Sequence, residues 1–268
     1  MWRIEALGGI ELLQASYGEF VFTPHSHEGY LIAVTEGGVG GPTYRGEKHE
    51  VGPGDVLVLN PEEAHAGGPL TDAPWRYRAL YPSADLMQGV IVEFPDAGPS
   101  PPEFGVGVVR DAEAARRLRR FHLETEEAGS TLLQRESHLT DALVWLTAHH
   151  AIRAEQPKPP GREHRAVRRA REYLDEYPGE NVSLVGLAGL AGLSPFYLCR
   201  IFRSEVGLAP HAYQTQARVR RAKELLREEL SVAQAAAEAG FFDQAHLTRH
   251  FKRIVGVTPG QYVRSRVR

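Results

Sequence analysis

An internal repeat in the C-terminal third of the chain restricts its fold more than any other feature. Five landmark residues, a leucine, a phenylalanine, a glycine, a proline and a tyrosine, recur in the same order 49 positions apart. They are Leu198, Phe202, Gly207, Pro210 and Tyr213 in the first copy and Leu247, Phe251, Gly256, Pro259 and Tyr262 in the second. Upstream, Ala188 and Gly192 match Ala236 and Gly240 at an offset of 48. The duplication predicts two copies of one small folding unit, with one extra residue in the turn of the second.

Each copy has the residue order of a helix-turn-helix unit. The alanine allows two helices to approach closely, and the glycine four positions later suits a tight turn with positive φ. An apolar residue then fills the turn, and the next helix begins at a capping residue. The apolar residues are Leu193 and Phe241, and the caps are Ser194, followed by Pro195, and Asp243. A long helix over about residues 212–229 is predicted to join the two copies.

The second helix of each copy is predicted to have two different faces. The inward residues are expected to be Leu198, Ile201 and Phe202 in one copy and Leu247, Phe251 and Ile254 in the other. The opposite face carries Phe196, Tyr197, Arg200 and Arg203, or Gln244, His246, Arg249 and Lys252. Such a helix can enter the major groove of DNA, and a helical hairpin in an ordinary core is the alternative. Basic residues at equivalent exposed positions of the two copies favour DNA binding. The two helices would then enter successive major grooves, which are about 34 Å apart.

The uneven charge along the chain favours the same partner. Residues 161–268 contain 18 Lys and Arg against 11 Asp and Glu, a net charge of +7, whereas residues 1–160 carry −10. A basic segment beside an acidic one predicts a polyanionic partner for the basic segment only. A single cysteine, Cys199, excludes an internal disulfide. Because the sequence also lacks an 18-residue apolar run and a signal-peptide pattern, we expect a cytoplasmic protein with no membrane partner.

Residues 164–268 closely resemble the DNA-binding domain of the AraC/XylS family of bacterial transcription regulators. The resemblance rests on the run from Ala239 to Arg253, AGFFDQAHLTRHFKR, and on Gly256 to Tyr262, GVTPGQY. It implies base contacts from Phe196, Tyr197, Cys199 and Arg200 in the first copy and from Gln244, Ala245, His246 and Arg249 in the second. Arginine suits guanine and glutamine suits adenine. Ser194, Arg203 and Lys252 are further candidate DNA contacts.

Residues 1–105 are rich in turn-forming residues and lack the long helical periodicity of the C-terminal third. Short apolar runs such as 30–34 and 56–59 are separated by Gly-Gly and Pro-Gly pairs. This pattern predicts an all-β sandwich or barrel. Residues 20–81 resemble the cupin-type sensor domain that often precedes this DNA-binding domain. The matching pieces are PHSHEGY at 24–30, YRG at 44–46, PGD at 53–55 and PEEAH at 61–65.

Three histidines of this region are predicted to converge. His25 and His27 share one face of a strand, and His65 follows a second strand over residues 55–59. Converging imidazoles are either ligands of a divalent transition metal or direct contacts for a small effector. Metal-binding cupins usually add a glutamate four residues after the second histidine, and Leu31 occupies that position here, which favours effector contact. The expected pocket comprises His25, His27, Tyr30, Arg45, His65, Trp75 and Arg78, and the metal set is His25, His27 and His65.

The segment from Trp75 to Tyr81 largely alternates between apolar or aromatic residues and other residues, as a strand with one buried face does. Trp75, Tyr77, Ala79 and Tyr81 share one face, for which core packing is the simplest interpretation.

The segment from Asp111 to about Arg153 is predicted to form an αα-hairpin that turns near Gly129. Its second helix carries one apolar stripe, Leu139, Ala142, Leu143 and Leu146. We expect this stripe to be the seam of a homodimer, and packing against the chain's own barrel is the alternative. The prolines between residues 155 and 163 predict a stiff linker.

Together these patterns predict an α+β protein with two domains. A cupin-like β-barrel with an αα-hairpin, for sensing and dimerisation, covers residues 1–154, and a linker covers 155–163. An all-α domain with a double helix-turn-helix covers 164–268. We expect a transcription regulator without enzymatic activity, whose binding to double-stranded DNA responds to a small-molecule effector. The resemblance also implies contact with RNA polymerase, and leaves activator and repressor open. The alternatives are a metal-dependent cupin enzyme fused to a DNA-binding domain and a barrel that only dimerises.

Overall fold

The computed structural model describes residues 1–91, 100–152, 164–255 and 257–264. Its residue contacts divide the chain into two compact units. The first unit comprises Met1–Leu123 and His138–Pro159, and the second comprises Glu124–Ser137 and Pro160–Arg268. The predicted linker at 155–163 and the repeat residue Gly256 lie outside the described residues.

The first unit is built on two antiparallel sheets. Its strands are β1 (Trp2–Ile4), β2 (Ile10–Tyr17), β3 (Phe22–His25), β4 (Leu31–Gly37), β5 (Thr43–Tyr44), β6 (Glu47–Lys48), β7 (Val56–Leu59), β8 (His65–Gly67), β9 (Trp75–Tyr81) and β10 (Val108–Val109). One sheet has the order β1-β2-β9-β4-β7-β10, and the other has β3-β8-β5-β6. The prediction of a sheet-rich N-terminal domain is confirmed.

The core of this unit lies on the inner face of the larger sheet. Strand β9 runs between β2 and β4, with Leu13 and Ala33 both paired with Ala79. Because neighbouring residues of a strand point to opposite faces, Trp75, Tyr77 and Ala79 share the inner face. They pack there with Leu31, Ala33 and Leu57. In the smaller sheet, β3 pairs with β8 so that His25 lies opposite His65.

Helix α1 (Ala84–Ile91) lies between β9 and β10 in the chain, and α2 (Ala112–Glu126) and α3 (Leu132–His150) follow β10. Helices α2 and α3 form the predicted hairpin, and Gly129 lies in its turn. The prediction that the stripe on α3 forms a dimer seam is wrong, because these side chains are already buried within one chain. Leu139 is 5% exposed and Ala142, Leu143 and Leu146 are fully buried.

The second unit contains α4 (His164–Glu176), α5 (Leu184–Ala191), α6 (Pro195–Val206), α7 (Pro210–Arg227), α8 (Val232–Glu238), α9 (Gln244–Val255) and α10 (Pro259–Arg264). The pairs α5–α6 and α8–α9 are the two predicted copies, and α7 is the predicted connecting helix. Ala188 and Ala236 are each 1% exposed, as close helix packing requires. Gly192 and Gly240 adopt φ of 72° and 79°, which residues with a Cβ atom adopt at a cost.

Among the described residues, no single helix is both long and apolar enough to cross a membrane. Helices α5 and α6 taken together are long and apolar enough, but the chain bends by 76° between them.

Candidate DNA interface and effector pocket

The two recognition helices, α6 and α9, begin as the sequence predicts. The Ser194 hydroxyl accepts a hydrogen bond from the Tyr197 backbone N–H at 3.2 Å, and Pro195 takes the first helical position. The Asp243 carboxylate accepts one from the His246 backbone N–H at 2.6 Å. Each cap satisfies a backbone donor that a helix start leaves unpaired.

The inner faces of both helices are buried, with one exception. Leu198, Ile201, Phe202, Leu247 and Phe251 are fully buried. The prediction that Ile254 points inward is wrong, because it is 40% exposed. Its neighbour Val255 packs against the core at this last turn of α9 instead.

The outer faces differ between the two copies. In α9, Gln244, Ala245, Arg249 and Lys252 are exposed, as is Arg203 in α6. The four predicted base-contacting residues of α6, Phe196, Tyr197, Cys199 and Arg200, are only half-exposed. The Arg200 guanidinium lies 5.1 Å from the centre of the Tyr197 ring, in a cation–π contact.

The prediction that His246 lies on the exposed face of α9 is wrong. It is 5% exposed, and its ring lies 5.4 Å from that of Phe241 and 4.7 Å from that of His250. Burial, assisted by the positive charge of Arg249, lowers the pKa of His246. Burial and the neighbouring His246 lower the pKa of His250 to about 4. Both rings are therefore neutral at neutral pH.

The turn of the hairpin, residues Glu124–Ser137, belongs to the second unit and is here called the hairpin tip. Leu133 is fully buried in the core that α4, α5 and α6 share. The Glu136 carboxylate accepts a hydrogen bond from the Leu184 backbone N–H at the start of α5. Burial raises the pKa of Glu136. The tip is thus packed into the first copy as part of its core.

The hairpin tip also contacts one predicted base-contacting residue in each copy. The Cys199 thiol lies 3.9 Å from the Ser137 hydroxyl. Gly129 lies so close to His246 that a Cβ atom added to the glycine would be 2.7 Å from the histidine Nδ1. Sequence reasoning missed these contacts because the tip is more than 60 positions away in the chain, and no local pattern marks the pairing.

A cavity of about 90 Å³ lies inside the first unit. The side chains around it are mainly apolar or aromatic, and they include all three of the predicted histidines. The lining residues are Leu13, Phe22, His25, His27, Leu31, Ala33, Pro42, Leu57, His65, Ala66, Gly67, Trp75, Tyr77 and Tyr81. A mostly apolar cavity with a few convergent polar groups is typical of a small-ligand site.

The predicted convergence of the three histidines is confirmed by the geometry. One ring nitrogen from each of His25, His27 and His65 lies within 4.8 Å of the other two. The ring centres are 4.4 Å apart for His25 and His65 and 4.9 Å for His27 and His65. Burial and the two neighbouring rings lower the pKa of His27 to about 4, and burial lowers the pKa of His65.

Three other residues of the predicted pocket lie elsewhere. The Tyr30 hydroxyl donates a hydrogen bond to the Pro102 carbonyl. Arg45 forms an ion pair with Glu63 at 2.8 Å, and Arg78 forms one with Glu36 at 3.0 Å. The side chains of Tyr30, Arg45 and Arg78 do not line the cavity.

Sequence reasoning missed Tyr77 and Tyr81 as pocket residues. The alternation from Trp75 to Tyr81 was the signal for them, since the residues that pack in a core also line a cavity within that core. Trp75, which was predicted, does line the cavity.

Known proteins match both parts of the chain. The family described as the AraC-like ligand binding domain matches residues 7–143, and a helix-turn-helix domain family matches residues 187–265. The HTH-type transcriptional regulator YbfI of Bacillus subtilis (strain 168) is 30% identical over 84% of this chain and 81% of its own length. The arabinose operon regulatory protein of Salmonella typhimurium is 24% identical over 91% of this chain and 86% of its own.

Among solved structures, the C-terminal domain of AraT from Geobacillus stearothermophilus is 33% identical, with a TM-score of 0.36. It covers 39% of this chain and 88% of its own. The matches to the two families and to full-length regulators cover the domain with the two sheets, most of the hairpin and both helix-turn-helix copies. The chain therefore belongs to the AraC family of DNA-binding transcription regulators, with a ligand-binding domain ahead of its helix-turn-helix domain.

Proposed function

We propose that the outer faces of α6 and α9 read the bases of one continuous DNA site. Arg200 and Arg249 occupy equivalent positions and suit guanine, whereas Gln244 suits adenine. Phe196, Tyr197, Cys199 and Ala245 contact base edges, and Ser194, Arg203 and Lys252 lie towards the phosphates. His246 joins them only if it leaves its buried position. The exposure of Gln244, Arg249 and Lys252 supports this assignment.

The continuous helix α7 supports the two-headed part of this proposal. It runs from Pro210 to Arg227 and links the two copies without a break. We therefore expect two half-elements about 10 base pairs apart. Inserting five base pairs between them turns one half-element by about half a helical turn and abolishes two-headed binding. A DNase footprint that tolerates this insertion would show that the copies bind independently.

We further propose that the hairpin tip controls access to DNA, and one observation carries this: the contact between Ser137 and Cys199. Cys199 is one of the residues that we propose to contact bases, and its thiol lies 3.9 Å from the hydroxyl of Ser137 in the tip. DNA and the tip compete for this position, so the tip has to move when DNA binds. Helices α2 and α3 each have residues in both units, with their larger parts in the ligand-binding unit. An effector that shifts these helices changes the population of tip-free molecules.

A disulfide between residue 137 and residue 199 tests this competition. The chain has no other cysteine, so Ser137→Cys creates a single pair, at positions whose Oγ and Sγ atoms lie 3.9 Å apart in the wild-type chain. We expect the oxidised variant to bind operator DNA at least tenfold more weakly than its reduced form. Dithiothreitol restores the binding. Wild-type protein treated with methyl methanethiosulfonate, which adds only a methylthio group to Cys199, is the matched control. Unchanged affinity in the oxidised variant would overturn the proposal.

The barrel is proposed to sense a ligand and not to catalyse a reaction. The full-length relatives named above are regulators, and the cavity is small and mostly apolar. A thermal-shift screen of small molecules tests sensing, because a ligand that binds only the folded state raises its melting temperature. Turnover of a bound compound would favour the alternative, a cupin enzyme fused to a DNA-binding domain.

We also propose that the protein works as a homodimer and contacts RNA polymerase. Closed two-fold symmetry is the common solution for such proteins, but the seam is not the buried stripe on α3. Leu143→Glu is accordingly expected to unfold the ligand-binding domain, which circular dichroism would detect. A folded monomer from this variant would return the seam to α3.

A further inference from the structure

We infer that His25, His27 and His65 form a binding site for one divalent transition-metal ion, to which a small anionic effector adds as a further ligand. The first part stands on the geometry of the histidines alone. The second part rests on the proposed sensing role of the barrel.

The spacing of the ring nitrogens suits a shared ion. They lie within 4.8 Å of one another, on residues from β3, the loop after it and the start of β8. Nitrogen ligands at about 2.1 Å from a tetrahedral zinc ion are about 3.4 Å apart. Small rotations of the three rings close this difference. Among the described residues, this is the only group of three or more His, Cys, Asp or Glu side chains with such a spacing.

Two of the rings are held in the orientation that a metal ligand needs. The Nδ1 atom of His25 lies 2.8 Å from the Thr23 carbonyl oxygen, and the Nδ1 atom of His65 lies 3.0 Å from that of Glu63. A carbonyl oxygen only accepts hydrogen bonds, so each Nδ1 carries the proton and donates it. The lone pair is then on Nε2 in both rings. Metal-bound histidines are usually oriented by such a bond from the other ring nitrogen.

His65 supplies the independent sign that a partner belongs here. Its Nε2 atom is buried and has no hydrogen-bond partner within the described part of the chain, and the residue is only 8% exposed. A buried acceptor without a partner costs about 1–3 kcal/mol. A metal ion bound by this lone pair removes that cost. Imidazole nitrogens favour zinc, copper, nickel and iron among the metals available to proteins.

The surroundings of the histidines indicate the charge of the further ligand. Leu31 lines the cavity beside the histidines and brings no carboxylate, and Glu28 is exposed. The Glu63 carboxylate is engaged by Tyr44 and Arg45. A divalent ion held by three neutral imidazoles thus keeps both positive charges, and an anion neutralises them. Three protein ligands also leave one position open in a tetrahedral site.

The cavity indicates the size of that ligand. Its volume of about 90 Å³ holds only a few heavy atoms; an engineered cavity of about 150 Å³ holds benzene. Tyr77, Tyr81 and Trp75 border it with aromatic surface. The site therefore fits a small carboxylate, with its oxygen on the metal and its carbon atoms against the rings.

The test uses the full-length protein, stripped with EDTA and dialysed. Zn²⁺ binding is measured by elemental analysis after gel filtration, and Co²⁺ binding by the visible spectrum of the ion. We expect one ion per chain, and binding about a hundredfold weaker or more in His65→Ala and in His27→Gln, the latter on a half-exposed residue. His149→Ala is the matched control, since this exposed histidine lies on α3. Acetate or propionate, two carboxylates of only a few heavy atoms, is then added to the Co²⁺ protein, and a shift of the spectrum is expected.

Each result decides one part of the inference. Wild-type protein without a stoichiometric ion, or a His27→Gln variant that binds as the wild type does, would overturn the metal site. A Co²⁺ spectrum that ignores both carboxylates would overturn the anionic ligand while the metal site stands. The disulfide experiment on Ser137 and Cys199 uses neither readout, so a failed metal site leaves the proposed regulation testable by itself.

Discussion

The two helix-turn-helix copies have one core design and two different surfaces. Both have a glycine with positive φ, a side-chain cap and a fully buried phenylalanine, namely Gly192, Ser194 and Phe202, and Gly240, Asp243 and Phe251. Four of the residues that we propose to read DNA from α6 are half-exposed, whereas Gln244 and Arg249 of α9 are exposed. The difference teaches that a duplicated sequence repeats its inner contacts, while segments from elsewhere in the chain decide what each outer face exposes.

The largest expected difference concerns the two turn glycines. An alanine Cβ at Gly240 would lie 2.5 Å from backbone atoms of Gly179, whereas at Gly192 nothing lies within 4 Å. Gly192→Ala therefore costs only the left-handed backbone conformation, about 1–2 kcal/mol. Gly240→Ala adds a clash that backbone must relieve, for a total of about 2–5 kcal/mol. Thermal unfolding followed by far-ultraviolet circular dichroism measures both. Equal losses would show that the turns are equivalent.

The next effect is on DNA affinity. Arg200→Ala and Arg249→Ala are each expected to weaken specific binding by about 1–3 kcal/mol. Arg249 is exposed, whereas Arg200 has to leave its contact with Tyr197, so the loss is expected to be greater for Arg249→Ala. Gel-shift titration against the natural operator, with circular dichroism as the folding control, measures the two losses. Wild-type affinity in both variants would contradict the placement of the reading faces.

A pH effect is expected from His250 in the second copy, where the first copy has Ile201 at the equivalent position. Burial lowers the pKa of His250 to about 4, in surroundings that include His246, Arg249, Arg253 and Glu124. The unfolded chain has a histidine pKa of about 6.5, so between these values only the unfolded state takes up the proton. The stability of the second copy therefore falls as the pH drops from 6.5 towards 4, and this residue contributes no pH dependence above 6.5.

His250→Ile tests this sign, since Ile201 is the equivalent residue of the first copy. The variant is expected to lose less melting temperature than the wild type between pH 7 and pH 5. His149→Ala serves as the control for an exposed histidine. An unchanged pH response in His250→Ile would contradict the assignment to this ring.

The smallest expected effects concern the helix caps. Ser194→Ala and Asp243→Ala each remove one side-chain bond to a helix start, at a cost of about 1 kcal/mol. Asp243 also places a negative charge at the positive end of α9, which adds a few tenths of a kcal/mol. Thermal unfolding of both variants measures the difference. A larger loss for Ser194→Ala would show that the charge contributes nothing.

Much of the local structure follows from sequence alone, because its causes are local. A glycine that needs positive φ, a serine or aspartate cap and an apolar period of 3.6 act within a few residues. These signals placed α5, α6, α8 and α9, the turn near Gly129 and the turn-rich β-domain. The cluster of three histidines was predictable from the strand pattern, but its local geometry was not, because strand β3 ends at His25. His27 lies beyond β3 and still joins the other two.

The sequence by itself determined the architecture of this protein and its family, while the tertiary structure decided which side chains are accessible. Periodicity placed Arg249 and His246 on one outer face, but Gly129 and Phe241 cover His246 and leave Arg249 exposed. Periodicity also predicted the apolar stripe on α3, and the fold buries that stripe inside the same chain. Periodicity shows which residues share a face, and only the packing of distant segments shows what that face meets. Burial, ion pairing and cavities depend on those distant contacts, so they appear only when the chain is folded.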